Sequence, residues 1–315
     1  MFQKYQYVLA VYREGSFTKA ADRLFISQPS LSVAIRNIEK RIGMPLFERG
    51  GATVQLTEAG EAYIEAAQKM QFAEEAFARQ MEDLNELRTG TLVVGGSNYK
   101  ISDILPQLVS SFREQYPGVD VTLVEANSVH LREMLNTGEV DLVLDNFEGF
   151  EEQYALQPVL EEQIMLCVPP KYNRHKALAG CRILPESLYK KETCVSEVAP
   201  VNIAAFRDEP FVLLKSGNDM RERAMRMFES SGVTVTEVFS VDQLNISYAL
   251  AESGLGVCFV TDTFFKYRKH TTDVVLYKLD HQLARRTLHV AYKKGRYCTK
   301  AMRKFTDILC DTIGE

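Results

Sequence analysis

The sequence predicts an α/β chain in three parts. A small helical unit with a hairpin at its edge covers residues 1–60, one long helix covers 58–88, and a two-lobed α/β domain covers 91–315. Three observations lead there. Two short helical patterns meet at a tight corner near residue 26, an apolar seam runs from residue 59 with no proline in it, and strand and helix patterns alternate from residue 91 to the end. A chain of 315 residues is long enough for two or three separate cores.

The first helix places Phe2, Tyr5, Leu9 and Tyr12 on one face at helical spacing and ends at Gly15, a residue suited to a left-handed cap. The next runs from Ser16 through Leu24, breaks at Phe25-Ile26, and is followed by a third helix that begins at Ser27 and ends near Gly43. Ser27 can accept a hydrogen bond from the orphan amides of the first turn, and Pro29 stands where no amide partner is needed. Leu31, Ile35, Ile38 and Ile42 form one stripe at steps of four and three. The opposite face presents Gln28, Ser30, Ser32, Arg36 and Lys40, short polar and basic side chains of the kind that bond base edges and phosphates in a major groove. This is the pattern of a helix-turn-helix that reads double-stranded DNA, with Gln28, Pro29, Ser30, Ser32 and Arg36 on the reading helix and Thr18 on the one before it. Glycines at 50 and 51 followed by the alternation Thr53-Val54-Gln55-Leu56 predict a hairpin wing, with Arg49 at its start.

The run from Ser16 to Gly60 resembles the N-terminal domain of the LysR-type transcriptional regulators. The patterns S-F-x-x-A-A, S-Q-P-S-L-S, L-F-x-R and L-T-x-x-G all stand here at the family's spacing. Ala52 and Thr53 depart from it, since the family's wing often carries a further basic residue after the arginine. The resemblance implies a winged helix-turn-helix, a dimerising linker helix and a two-lobed effector-binding domain of periplasmic-binding-protein type. It also implies an operator DNA, a small-molecule effector, a homodimer extending to a tetramer, and RNA polymerase as a further partner. Charge agrees with the first part: the whole chain carries −5, yet residues 1–60 hold eight basic against five acidic side chains, a net +3.

From Glu58 to about Leu87, Ala59, Tyr63, Ala66, Met70, Ala73 and Phe77 recur by fours and threes, slip at Met81, and continue through Leu84 and Leu87, with an acidic exterior. A helix of roughly 30 residues is a rod of about 45 Å, too long to bury such a seam in its own monomer, so a partner helix is expected.

Thr91–Gly96, Val119–Val124 and Val140–Leu144 read as strands, with helices at Ile104–Tyr116 and Leu131–Asn136 between them. A second unit begins near Gln163, with strands at Ile164–Val168, Phe211–Leu214, Val235–Phe239 and Val257–Val260 and helices at Asp219–Ser230 and Gln243–Glu252; a strand at Leu288–Tyr292 and a helix at Lys300–Asp311 close the chain. Two such units joined by two crossings make two lobes, lobe I at about 91–162 and 267–315, lobe II at about 163–266. Leu105-Pro106 with Phe112, Tyr116-Pro117, and Ala251 through Gly256 are similar to the family's phrases, whereas residues 185–205 look longer than its usual segment.

Ligands of open α/β sheets bind beyond the carboxyl ends of strands, where helix starts favour an anion or polar head. Three corners qualify: Ser97-Asn98-Tyr99, Lys215-Ser216 with Asn218, and Asp242-Gln243; Asp145 and Asn146 form a weaker fourth. No arginine stands at these corners, so a dianionic effector is possible only if Lys215 or the helix ends supply the positive charge. The chemistry of an enzyme does not assemble. His130, His175, His270, His281 and His289 lack metal-ligand spacing, and there is no G-x-S-x-G elbow or glycine-rich phosphate loop, so no metal, cofactor or catalytic residue is expected. The competing reading is a two-lobed solute-binding protein or enzyme with an appended N-terminal domain. Six cysteines show no C-x-x-C spacing, and no signal core or membrane span is present, which favours free thiols in the cytoplasm. Cys181 and Cys194 flank the long segment and supply a minor alternative, a thiol switch.

Overall fold

The computed structural model describes residues 4–48, 54–83, 87, 89–173, 176–267, 269 and 272–313. Contacts divide the chain into two units, Met1–Met81 and Glu82–Glu315.

In the first unit, α1 (Tyr5–Glu14), α2 (Phe17–Arg23) and α3 (Gln28–Ile42) start and stop where their caps dictate. Ser16 and Ser27 accept from the amides of Lys19 and Ser30, and Gly15 and Gly43 close α1 and α3 at φ 58° and 86°. Leu31, Ile35 and Ile38 are buried as expected. The face of α1 is rotated from the expected one: Val8 and Val11 are fully buried, while Tyr12 is 47% exposed and Phe2 lies outside the described residues. The physical reason is size, since the small Ala20 and Ala21 of α2 are buried in the same cluster as the two valines, leaving the tyrosine ring outside.

Phe47 and Leu56 form an antiparallel bridge, and the Glu48 amide donates to the Gln55 carbonyl at 2.9 Å, so the base of the expected hairpin is present. Arg49, both glycines, Ala52 and Thr53 lie outside the described residues. The start of α4 (Glu58–Asp83) explains the L-T-x-x-G phrase. Thr57 caps the Gly60 amide at 3.0 Å and donates to the Pro45 carbonyl at 2.7 Å. Any Cβ at Gly60 would lie 2.0 Å from the Leu46 carbonyl oxygen, so only glycine lets the helix start seat against that backbone. Tyr63, Ile64 and Ala67 of α4 join the helical core, whereas further along Met70, Phe77 and Met81 are 39%, 65% and 44% exposed. Leu84 of the expected seam lies outside the described residues.

The second unit is a mixed sheet in the order β2-β1-β3-β10-β4-β8-β6-β7, with β5 and β9 attached beside β4. Its strands are β1 (Gly90–Gly96), β2 (Val119–Glu125), β3 (Leu142–Asn146), β4 (Tyr154–Val168), β5 (Arg182–Ile183), β6 (Pro210–Leu214), β7 (Thr236–Val241), β8 (Val257–Thr261), β9 (Val275–Lys278) and β10 (Arg285–Lys293). Its helices are α5 (Leu105–Gln115), α6 (Ser128–Thr137), α7 (Pro185–Tyr189), α8 (Asp219–Ser230), α9 (Leu244–Glu252), α10 (Asp262–Lys266) and α11 (Lys300–Ile313), with one π turn, Lys100–Ile104, ahead of α5. Parallel pairing of β1 with β2 and β3, and of β6 with β7 and β8, gives each lobe the crossover architecture that the alternation predicts.

β4 belongs to both lobes. Residues 154–163 pair with β10, and Ile164–Val168 pair with β8 and β9. Its first half is invisible as a strand in the sequence because Pro158 and polar neighbours interrupt the pattern. The proline sits at the register shift between Leu288 and His289 of β10, where a missing amide is tolerated. The expected return to lobe I at residue 267 is corrected. Val275–Lys278 pairs antiparallel with Met165–Val168 and so belongs to lobe II, and the chain crosses back only at Arg285. The long segment 185–205 packs on this strand: the Lys278 ammonium donates to the Ser196 and Val198 carbonyls at 3.0 and 3.2 Å, and Val201 and Ile203 are buried.

Candidate functional site

At the carboxyl ends of β1, β2, β6 and β7 the two lobes enclose a cleft of about 390 Å³. Ser97, Asn98, Tyr99 and Asp145 line it from lobe I, and Lys215, Ser216, Asn218 and Gln243 from lobe II, so all but one of the expected residues converge. Asn146 does not. Adjacent side chains on a strand point to opposite faces, and with Asp145 turned to the cleft, Asn146 donates instead to the Thr287 carbonyl at 3.0 Å and accepts from Arg223 at 3.4 Å. Residues missed from the sequence are Lys100, Asp219, the Glu125–Ser128 corner after β2, and above all Arg286, whereas Asp242 stands in the expected corner with Gln243. The expectation that no arginine serves the cleft is therefore corrected; Arg286 arrives from β10, far along the chain, and no local pattern marks it.

The floor is a buried ionic cluster. Lys100 pairs with Asp145, which also accepts from Ser128 at 2.7 Å. Arg286 pairs with Glu162 at 2.7 Å and with Asp219 at 2.7 Å. Glu162, with no side-chain exposure, also accepts from Tyr99 at 2.6 Å and from Thr263. Burial alone would raise the carboxyls of Asp145 and Glu162, but Lys100 at the first and Arg286 at the second outweigh it and hold both below their ordinary range. Burial, reinforced by Glu162, pushes the Tyr99 phenol up. Above the floor, Lys215 pairs with Asp242 at 2.8 Å on the open rim.

Two atoms in the cleft are left over. Ser97 Oγ and Asn98 Oδ1 are buried with no hydrogen-bond partner among the described residues, a costly arrangement unless another molecule completes it. Three helices of eight residues or more begin here: α6 capped by Asn127, α8 capped by Asn218, and α9, which starts at Gln243 without a side-chain cap.

On the first unit, Thr18, Gln28, Pro29, Ser30 and Arg36 are exposed and Ser32 is half-buried. Gln28 donates to the Ser32 hydroxyl at 3.0 Å, and Arg36 Nε to the Ser32 carbonyl at 3.4 Å, so the polar face of α3 satisfies itself in part.

Residues 2–61 match the model of the bacterial regulatory helix-turn-helix proteins of the lysR family, and residues 85–313 match that of the LysR substrate binding domain. The chain belongs to the LysR family. This regulator is 30% identical to a probable RuBisCO transcriptional regulator of Synechocystis sp., over 94% of its own length and 81% of the relative's. Its fold is similar to that of a full-length OxyR variant from Pseudomonas aeruginosa, with a TM-score of 0.65 at 22% identity over 98% of this chain and 93% of that one. It is similar also to the Synechocystis PCC6803 CcmR regulatory domain in complex with 2-PG, with a TM-score of 0.59 at 19% identity over 71% of this chain and 98% of that one. The LysR-type regulator thus carries a DNA-reading domain and an effector domain on one chain. Among its described residues no cluster of three or more His, Cys, Asp or Glu is built to hold a metal ion, and no helix is long and apolar enough to cross a membrane; His175 and His270 lie outside them. Cys181 is half-buried and Cys194 exposed, both as free thiols, and a hydrogen bond with Ser196 draws the Cys194 thiol below its ordinary value.

Proposed function

We propose that this regulator is a cytoplasmic homodimer, paired through α4, that reads an operator with Gln28, Ser30 and Ser32 and is switched by a small polar effector in the cleft. Thr18, Pro29, Arg36 and Arg49 position the reading helix on the backbone. The observation that carries the effector reading is the pair of buried, unpartnered atoms Ser97 Oγ and Asn98 Oδ1 in a cleft to which both lobes contribute. A volume of about 390 Å³ equals that of about 13 waters at about 30 Å³ each, so the effector is a small molecule; the similar CcmR regulatory domain is in complex with 2-PG. Catalysis is not part of the reading, because the buried acids and bases of the cleft are already committed to one another as ion pairs.

The test begins with selection of an operator from random duplex DNA by the full chain, followed by a metabolite screen for changes in the footprint. Ser97→Ala and Ser216→Ala should each lower affinity for the active compound by about 0.5–3 kcal/mol, with the ligand-free melting temperature unchanged. An inducer that binds both variants with full affinity places the site elsewhere. A response to oxidant that disappears in Cys194→Ser replaces this reading with the thiol switch.

A further inference from the structure

The charges that line the cleft narrow the class of molecule it takes. Three cations face it, Lys100, Lys215 and Arg286, and each already has a carboxylate partner: Asp145, Asp242, and Glu162 with Asp219. A fourth lining carboxylate, Glu125, has no hydrogen bond or ion pair among the described residues. Glu162 lies beneath the lining, so four lining acids, Glu125, Asp145, Asp219 and Asp242, face three lining bases, and the surplus is negative. A dianion that drew on Lys100 or Arg286 would have to break a buried ion pair and leave a carboxylate unpaired, so only the exposed Lys215 on the rim and the helix starts are open to a negative charge at little cost.

The unsatisfied groups ask for something else. Glu125 and Ala126 end β2, next to the Ser97-Asn98 corner that ends β1; Glu125 is the register partner of Gly96, and the Ala126 amide donates to the Gly96 carbonyl at 3.3 Å. An exposed carboxylate with no protein partner among the described residues, Glu125, and a buried acceptor that lacks a donor, Asn98 Oδ1, therefore sit on neighbouring strand ends of lobe I. Such a pair suits a group that only donates and carries positive charge, an ammonium. Lobe II offers the opposite: the first turn of α9, where Gln243 makes no side-chain cap although the Ile246 amide already donates to Asn245 Oδ1 at 3.0 Å, with the Ser216 hydroxyl and Gln243, which together suit a single carboxylate. Resting on the effector reading above, we infer that the ligand of this cleft is a small zwitterion of the α-amino acid class, its ammonium held at Glu125 and Asn98 and its carboxylate at the start of α9. One negative charge meets helix amides and one positive charge meets the surplus acid, so no internal ion pair has to open.

The experiment uses the full chain. Thermal shift with each of the twenty L-α-amino acids is compared with succinate, 2-phosphoglycolate and inorganic phosphate, and any compound that raises the melting temperature is titrated by calorimetry. At least one amino acid should bind, at least tenfold more tightly than its analogue lacking the amino group. Glu125→Gln should remove most of that tenfold preference, with the circular dichroism spectrum unchanged because Glu125 is exposed. If only the dianions bind and Ser97→Ala abolishes their binding, the class is wrong and the effector cleft stands. If no amino acid binds, the class is likewise wrong. If an amino acid binds equally well to Ser97→Ala and Glu125→Gln, its site is elsewhere and both readings fall.

Discussion

Arg286→Met tests the floor of the cleft. The arginine side chain is 5% exposed and its partner Glu162 is 0% exposed, so the substitution keeps the aliphatic volume and removes the one cation that touches Glu162. Asp219 retains Arg223, whose Nε lies 3.0 Å away, but Glu162 keeps only the Tyr99 and Thr263 hydroxyls. Breaking one side of a buried pair costs about 3–5 kcal/mol. For a unit of this size that is a fall of about 6–20 °C in melting temperature, at about 2–4 °C per kcal/mol. Adding Glu162→Gln should recover much of the loss, since Gln can still accept from Tyr99 and Thr263. The pH dependence fixes the cause. In the wild type, Glu162 is held below its ordinary range, so its contribution is complete above about pH 4.3 and is lost as pH falls through the lowered folded value. Without Arg286 the largest opponent of burial is gone and only Lys100, Thr263 and Tyr99 still oppose it, so the Glu162 carboxyl rises relative to the wild type and protonation relieves the variant as pH falls. Urea unfolding at pH 7 and pH 5 should therefore show a smaller deficit at pH 5. A deficit below about 1 kcal/mol, an equal deficit at both pH values, or a double variant no better than the single one would refute the argument.

Two predictions concern the first unit. Gln28→Ala should weaken binding to the selected operator by about 1–3 kcal/mol while sparing random DNA, whereas Arg36→Ala should weaken both and flatten the salt dependence; equal losses of Gln28→Ala on every sequence would remove its base-reading role. Replacing Met70 and Phe77 together by Glu places charge on the exposed seam of α4 and should give a monomer in analytical ultracentrifugation; an unchanged dimer mass would show that this face is not the pairing surface.

The parts of the fold that were legible in the sequence are those whose causes are local. Ser16, Ser27, Gly15 and Gly43 punctuate α1 to α3 because a cap acts within one turn. The strand-end corners at Ser97, Ser216 and Gln243 were visible because each combines a strand stop with a helix start. What escaped depends on distant partners. β9 is a four-residue strand that exists because β4 offers it an edge, and the first half of β4 exists because β10 returns beside it. Arg286 belongs to the cleft only through that return, and Lys100 reads as an exposed residue until the π turn buries it over Asp145. Asn146 was misplaced for a smaller reason, the alternation of a strand, which a choice of face at Asp145 would have settled.

The same return strand shows how a ligand can reach the geometry of the lobes. Arg286 and Glu162 are register partners on β10 and β4, which both take part in the passage between the lobes, so their ion pair ties those two connecting strands together. Each half of the cleft is tied to that ion pair: Tyr99 of lobe I donates to Glu162, and Asp219 at the start of α8 in lobe II accepts from Arg286 at 2.7 Å. A ligand that bound equally well in every arrangement of the lobes would shift nothing, however tightly it bound. Moving the balance from 1:99 to 99:1 requires about 5.5 kcal/mol of difference in affinity, more than one neutral hydrogen bond supplies. Satisfying Ser97 Oγ, Asn98 Oδ1, Glu125 and the first turn of α9 at once is a sum of that order, and it is available only where lobe I and lobe II approach the same small molecule together. On the effector reading proposed above, the switch depends on a ligand that spans the cleft, and a fragment that fills one lobe should bind without altering the DNA footprint.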